Sequence, residues 1–310
     1  MFSILIAYEA ENLDLFIADL RDRIPDLDIQ IWPEVKDPGR VEAIITWKPP
    51  LGIMTKFPKL KAIISLGAGV EEILSDPTIP PDIPVIRLVD PCVTSRMSEY
   101  VLLAVLRFHR QTAEYQTLQK SQTWQPLPVS NSSSLTVGIL GLGVLGMDIV
   151  QKLNDLDFPV RGWSRTPKYL DGIECFHGQT QLELCVSCCQ VIVCLLPLTP
   201  ETQGILNHKL FAKMPQGGYI INVARGQHLV EQDLLEALDS GQLSGACLDV
   251  FSTEPLPKNH PFWLHDQITI TPHVATQTDS EYWVDSIINV IHDVRSNRPL
   301  KHLANRQQGY

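Results

Sequence analysis

Three segments late in the chain each end an apolar run on a residue able to hold an anion or move a proton. Ile221-Asn222-Val223-Ala224-Arg225-Gly226 delivers a guanidinium before a glycine. Leu248-Asp249-Val250-Phe251-Ser252-Thr253-Glu254 delivers a carboxylate, and Thr271-Pro272-His273 an imidazole. Each has an ordinary alternative: Arg225 as a surface residue after a strand, Glu254 as a solvated loop acid, His273 as a helix cap. Open α/β sheets place their ligands at the carboxyl ends of the strands. An arginine, a glutamate and a histidine following three strands of one sheet could therefore converge on a single site.

The companion motif lies upstream. Val137-Gly-Ile-Leu140 reads as a buried strand that runs into Gly141-x-Gly143-x-x-Gly146, and the apolar spacing of Val144, Ile149, Val150 and Leu153 predicts a helix next. Strand, glycine turn and helix form the context in which this pattern means dinucleotide binding. Gly141 permits the tight turn, Gly143 removes a side chain that would hold a pyrophosphate off the backbone, and Gly146 lets helix and strand approach. At the end of the next strand, where an NAD site places an acidic residue, the chain has Trp163-Ser164-Arg165-Thr166-Pro167-Lys168. A carboxylate there would repel a 2′-phosphate, whereas a guanidinium and hydroxyls can bind it. This favours NADP(H), with NAD(H) the alternative.

These motifs need a scaffold, and 310 residues suffice for two domains. Ile4–Ala7, Asp28–Trp32, Ala43–Thr46, Ala62–Leu66 and Val85–Leu88 read as strands, with a helix over Leu13, Phe16, Ile17 and Leu20 between the first two. Periodic apolar positions predict one long helix from Ser98 to about Ser121, then a polar stretch, Gln122–Ser134, leading into the second sheet. There, strands are expected at 159–163, 190–196, 219–223, 245–248 and 268–270, with helices near 181–188, 207–212 and 230–240. A last helix, through Tyr282, Val284, Ile287, Ile288 and Ile291, could return to the first domain. The expected fold is α/β, with two Rossmann-like or flavodoxin-like domains of parallel sheet and a cleft between them. Their expected limits are 1–97 plus 278–310 and 98–277.

Composition narrows the partners. A formal charge of −10 disfavours nucleic acid or an anionic membrane, though not a small anionic substrate. No apolar run reaches the ~20 residues a bilayer requires, and the N-terminus lacks a basic leader, so a cytoplasmic location is expected. Five of the seven cysteines, Cys175, Cys185, Cys188, Cys189 and Cys194, fall close together. No second ligand pair at zinc spacing accompanies them, so they read as buried thiols and no metal is expected.

Together the motifs resemble the D-isomer specific 2-hydroxyacid dehydrogenase family over nearly the whole chain. Leu66-Gly67-Ala68-Gly69-Val70-Glu71 matches its substrate loop, Gly141–Gly146 its cofactor loop, Leu195–Thr202 a loop beside the cofactor, and Arg225, Glu254 and His273 its catalytic trio in order. Trp163-Ser164-Arg165-Thr166 and Glu254-Pro-Leu-Pro257 are most similar to the group that reduces glyoxylate and hydroxypyruvate, in which a tryptophan near the substrate falls at Trp47. The resemblance implies hydride transfer to C2 of a short 2-keto acid, with His273 as proton donor. Glu254 would orient the ring and favour its imidazolium form, and Arg225 would grip the carboxylate. Trp47, Ala68 and Gly69 would join Arg225 and His273 at the substrate. Cofactor contacts fall on Gly141, Gly143, Val144, Leu145, Gly146, Ser164, Arg165, Thr166, Leu196, Pro197, Thr202, Val223, Ala224 and Asp249. A homodimer through the cofactor domain is implied as well. Two alternatives stay open: a phosphoglycerate, formate or phosphite type of dehydrogenase using NAD, and a non-enzymatic dinucleotide-sensing protein like the corepressors.

Overall fold

The computed structural model describes residues 1–8, 13–67, 69–88, 90–277 and 281–306, the side chains of 281 and 282 excepted. Ala68 and the side chain of Tyr282, both singled out above, lie outside the described residues. In chain order the strands and helices begin β1 (Ser3–Ala7), α1 (Leu13–Arg23), β2 (Asp28–Ile31), β3 (Val41–Thr46), β4 (Ala62–Ser65), α2 (Glu71–Leu74) and β5 (Val85–Arg87). Two helices follow, α3 (Pro91–His109) and α4 (Thr112–Lys120), and then β6 (Val137–Leu140), α5 (Val144–Asp155), β7 (Val160–Ser164), β8 (Glu174–His177) and α6 (Gly178–Val186). The remainder is β9 (Val191–Cys194), α7 (His208–Phe211), β10 (Gly218–Asn222), α8 (Glu231–Asp239), β11 (Leu243–Leu248), β12 (Ile268–Ile270) and α9 (Glu281–Arg295).

The chain divides into two compact units, residues 1–93 with 278–310 and residues 94–277. In the first, five parallel strands run in the order β2-β1-β3-β4-β5. Side chains alternate across a strand. Ile4, Ile6, Ala43, Ile45 and Ile64 therefore pack on one face under α1 and α9, while Leu5, Ile44, Ile63 and Val85 pack on the other with Ile53, Met54 and Phe57. The second unit is a seven-stranded parallel sheet in the order β12-β11-β10-β9-β6-β7-β8. Helices α3 and α5 contribute to the core on one face, α6, α7 and α8 to the core on the other. With both faces covered, β6 and β9 are buried at every residue, which is why they read as unbroken apolar runs.

Three features differ from the sequence expectation. The single helix from Ser98 to Ser121 is two helices, and the first begins at Pro91. Asp90 caps it by accepting the Cys92 N–H at 2.8 Å, and its other oxygen accepts the Ser286 hydroxyl at 2.6 Å. The break falls at Gln111, whose φ of +53° no α-helix accommodates. Strand β8 was not foreseen; it forms one edge of the sheet and buries none of its residues fully. Helix α6 ends at Val186, which leaves Cys188 and Cys189 beyond it. Cys185, Cys189 and Cys194 are buried and Cys188 is exposed. Burial alone pushes the Cys194 thiol up to about 12. Among the described residues no group of His, Cys, Asp and Glu could hold a metal ion, and no helix is long and apolar enough to cross a membrane.

Candidate active site

The register of the second sheet places the motifs that its strands carry at one edge. Ile270, Leu248, Asn222, Cys194, Leu140 and Trp163 are successive partners across six strands. One row thus launches the His273, Glu254, Arg225, Leu195–Thr202, glycine and Ser164 segments in turn. At its centre, β6 and β9 lie side by side although their flanking strands run outward in opposite directions, the topological switch point where such sheets bind ligands. Gly141 has φ +114°, and a β-carbon on Gly146 would lie 1.9 Å from the Gly141 carbonyl oxygen, so only glycine lets α5 start this close to β6. A β-carbon on Gly143 would meet nothing within 4 Å, and no side chain caps the helix there. This open backbone cradle at a helix N-terminus suits a pyrophosphate.

Beyond the row, the polar side chains are held by short bonds. His273 Nδ1 lies 3.0 Å from Glu254 Oε2, and Glu254 Oε1 accepts the Phe251 N–H at 3.0 Å. A carboxylate only accepts, so Nδ1 carries the hydrogen of this bond. His273 has φ +56°. Its loop is fixed by Asp249, which is 1% exposed and accepts the Thr271 hydroxyl at 2.6 Å and the Val274 and Ala275 N–H groups at 2.8 and 2.9 Å. The Asp249 carbonyl accepts the His273 N–H at 2.8 Å. Because Thr271 donates to Asp249, the Tyr100 hydroxyl from α3 must donate to Thr271, at 2.5 Å. Burial pushes that phenol far above its ordinary range, so it stays protonated. Asp249 thus turns its carboxylate to the histidine loop.

Arg225 stands on a turn held from both sides. The buried Asn222 donates to the Arg225 carbonyl at 2.9 Å and accepts the Ala224 N–H at 3.2 Å, while the Arg225 guanidinium donates to the Ala224 carbonyl at 2.7 Å. A β-carbon on Gly226 would lie 1.8 Å from the Phe251 carbonyl carbon. The arginine turn therefore rests on the backbone whose Phe251 N–H holds Glu254, and this is how residues so far apart in sequence come to share one edge.

Residues 102–275 match the profile of the NAD-binding domain of the D-isomer specific 2-hydroxyacid dehydrogenases. The chain belongs to this family. Glyoxylate/hydroxypyruvate reductase A of Serratia proteamaculans is 44% identical over 281 residues, 89% of this chain and 90% of the relative. A D-isomer specific 2-hydroxyacid dehydrogenase from Xanthobacter autotrophicus Py2, solved with NADPH and MES, has TM-score 0.94 and 37% identity over all of both chains. The NADPH-dependent glyoxylate/hydroxypyruvate reductase of Sinorhizobium meliloti, solved with NADP and sulfate, has TM-score 0.94 and 35% identity, again over all of both chains.

In this dehydrogenase the remaining expected positions are distributed as follows. Val144 is exposed and Leu145 half-buried at the head of α5; Leu196, Thr202, Val223 and Ala224 are buried and Pro197 half-buried. Thr202 donates to the Pro197 carbonyl at 2.7 Å and accepts the Thr199 N–H at 2.9 Å, which shapes the loop after β9. Ser164 donates to the Thr166 carbonyl at 2.7 Å, while Arg165 and Thr166 are exposed. In the first unit, Trp47 is 40% exposed at the end of β3 and lies against Gly67. The buried Ser65 hydroxyl bonds the Gly67 and Gly69 carbonyls at 3.2 and 3.3 Å. Trp263 donates to the Pro257 carbonyl, and Trp283 packs on the first unit's core. Tyr100, Thr271, Asn222 and His228 were not anticipated. Only Asn222, a polar residue ending an apolar strand, carries a local signal.

Proposed function

We propose that this chain reduces the short 2-keto acids glyoxylate and hydroxypyruvate to glycolate and D-glycerate, with NADPH preferred over NADH. The observation that carries the reading is the His273–Glu254 pair, in which Nδ1 is engaged by a carboxylate that is itself pinned to backbone. In this reading His273 Nε2 gives a proton to the alkoxide forming at C2, and Glu254 holds the ring in place. Arg225 binds the substrate carboxylate and fixes its approach. Trp47 and Gly69, with Ala68, serve the substrate from the first unit, which is thus the substrate-binding domain; Trp47 favours short acids.

The cofactor, when bound, supplies the hydride. Gly141, Gly143, Val144, Leu145 and Gly146 would hold its pyrophosphate; Leu196, Pro197, Thr202, Val223 and Ala224 would line its nicotinamide half; Asp249 would act there through the histidine loop. Ser164, Arg165 and Thr166 would take the 2′-phosphate, a choice supported by the absence of an acidic residue at that strand end and by the NADP(H) in the two solved relatives. We include a homodimer through the cofactor domain: α4 buries none of its residues, and Trp124 just beyond it is 98% exposed.

The test is a steady-state survey of glyoxylate, hydroxypyruvate, pyruvate and bulkier keto acids with each reduced cofactor. NADPH with glyoxylate or hydroxypyruvate should give the highest kcat/KM. Arg165→Ala should raise the NADPH KM about tenfold or more while changing that for NADH little, as expected on losing a charge-assisted bond to phosphate. A preference of the wild-type protein for NADH, or for bulky keto acids, would defeat the corresponding part.

A further inference from the structure

His228 is fully buried in the second unit, and the reaction just outlined gives it no part. It ends the short helical turn Gly226–His228 that starts at Arg225. Its Nε2 lies 3.2 Å from the Pro197 carbonyl, which can only accept, so Nε2 carries a hydrogen. Nδ1 lies 3.2 Å from both the amide nitrogen and the carbonyl oxygen of Arg225. In the neutral ring Nδ1 is then bare and accepts the Arg225 N–H, while Asn222 serves the Arg225 carbonyl.

We propose that His228 is a positioning residue for Arg225: its neutral Nε2–H tautomer clamps the arginine's own amide and anchors that turn to the Pro197 loop. The guanidinium is carried on a backbone frame set by two side chains, His228 on the N–H and Asn222 on the carbonyl. A displaced frame would misplace the guanidinium even though Arg225 itself is intact, and small misplacements of a binding group cost much in rate. The inference rests on the reading of Arg225 as the carboxylate grip.

Three variants separate the two ends of the ring. His228→Asn keeps an acceptor near the Nδ1 position, His228→Gln keeps a donor near the Nε2 position, and His228→Leu keeps neither. His228→Leu and His228→Gln should raise the keto-acid KM about tenfold or more with the NADPH KM within about twofold, whereas His228→Asn should stay within about threefold of wild type. Equal losses in both KM values for Asn and Gln variants would mean a merely structural residue and overturn the proposal, as would an unchanged keto-acid KM in His228→Gln. Arg225→Ala is the control. If it leaves the keto-acid KM unchanged, the reading of Arg225 fails; if it raises that KM while the His228 variants are silent, only the present inference fails. Neutron diffraction from wild-type crystals needs no variant: a bare Nδ1 is expected, and a hydrogen on it would overturn the assignment.

Discussion

Glu254 is fastened at both oxygens, one to the Phe251 amide and one to His273, so its carboxylate is fixed in place, as the proposed orienting role requires. Glu254→Gln keeps an acceptor for Phe251 but presents an NH2 group to Nδ1, a donor facing a donor. The expected outcome is a fall in kcat of about a hundredfold or more, with NADPH affinity in a fluorescence titration unchanged; an unchanged kcat would remove Glu254 from the chemistry. At this scale the sequence was informative about residue types, the family resemblance gave the pairing of Glu254 with His273, and the side chains that hold their loops were not legible. Arg225, Glu254 and His273 stood out because polar groups able to do chemistry ended apolar strands. Tyr100 did not, since nothing local ties it to Thr271, 171 positions away, and it sat inside an ordinary helical stripe. His228 was invisible for a related reason: a histidine in the short Gly226-Gln227-His228 turn is unremarkable until the ring is seen between two backbone segments.

At the scale of elements, the arrangement depends on backbone segments meeting without side chains between them. Gly226 against Phe251 is the tightest such contact, and Gly226→Ala must separate the arginine turn from the glutamate loop. We expect a loss of about 1–3 kcal/mol in stability by denaturant titration, together with a fall in kcat/KM larger than that stability loss explains. Full activity in the alanine variant would show that the two loops move independently. The parallel strands were legible because burial on both faces leaves continuous runs such as Val191–Cys194. Strand β8 was not, because an edge strand of Glu174, Cys175, Phe176 and His177 needs no such run. The start of α3 was missed because Pro91–Arg96 buries none of its residues and so shows no apolar stripe, although Asp90 followed by Pro91 is a helix-start signature.

For the molecule as a whole, the first unit is assembled from both ends of the sequence. Helix α9 inserts Val284, Ile287 and Ile291, all fully buried, against strands formed near the N-terminus. Exposed pairs add to this, Arg295 with Asp26 and Arg23 with Asp285, the first holding the Asp26 carboxyl below its usual range through the guanidinium hydrogen bond. Ile287→Ala should therefore destabilise the N-terminal sheet by about 2–5 kcal/mol. Hydrogen exchange should show β1 and β3 losing protection while β6 and β9 keep theirs; loss spread evenly over both sheets would mean the units do not unfold separately. That α9 returns to this sheet was legible from the spacing Val284, Ile287, Ile288, Ile291, since a stripe so apolar requires a partner surface.

The split has a consequence during synthesis. Domains generally fold as units as the nascent chain emerges, yet β1 to β5 lack α9, the helix that covers one of their faces, until the whole of the second unit has been translated. The dinucleotide unit, continuous from 94 to 277, is complete before then. The first unit, begun before the second, is accordingly completed after it, and its bare apolar face is what a cellular holdase would shelter in the interval.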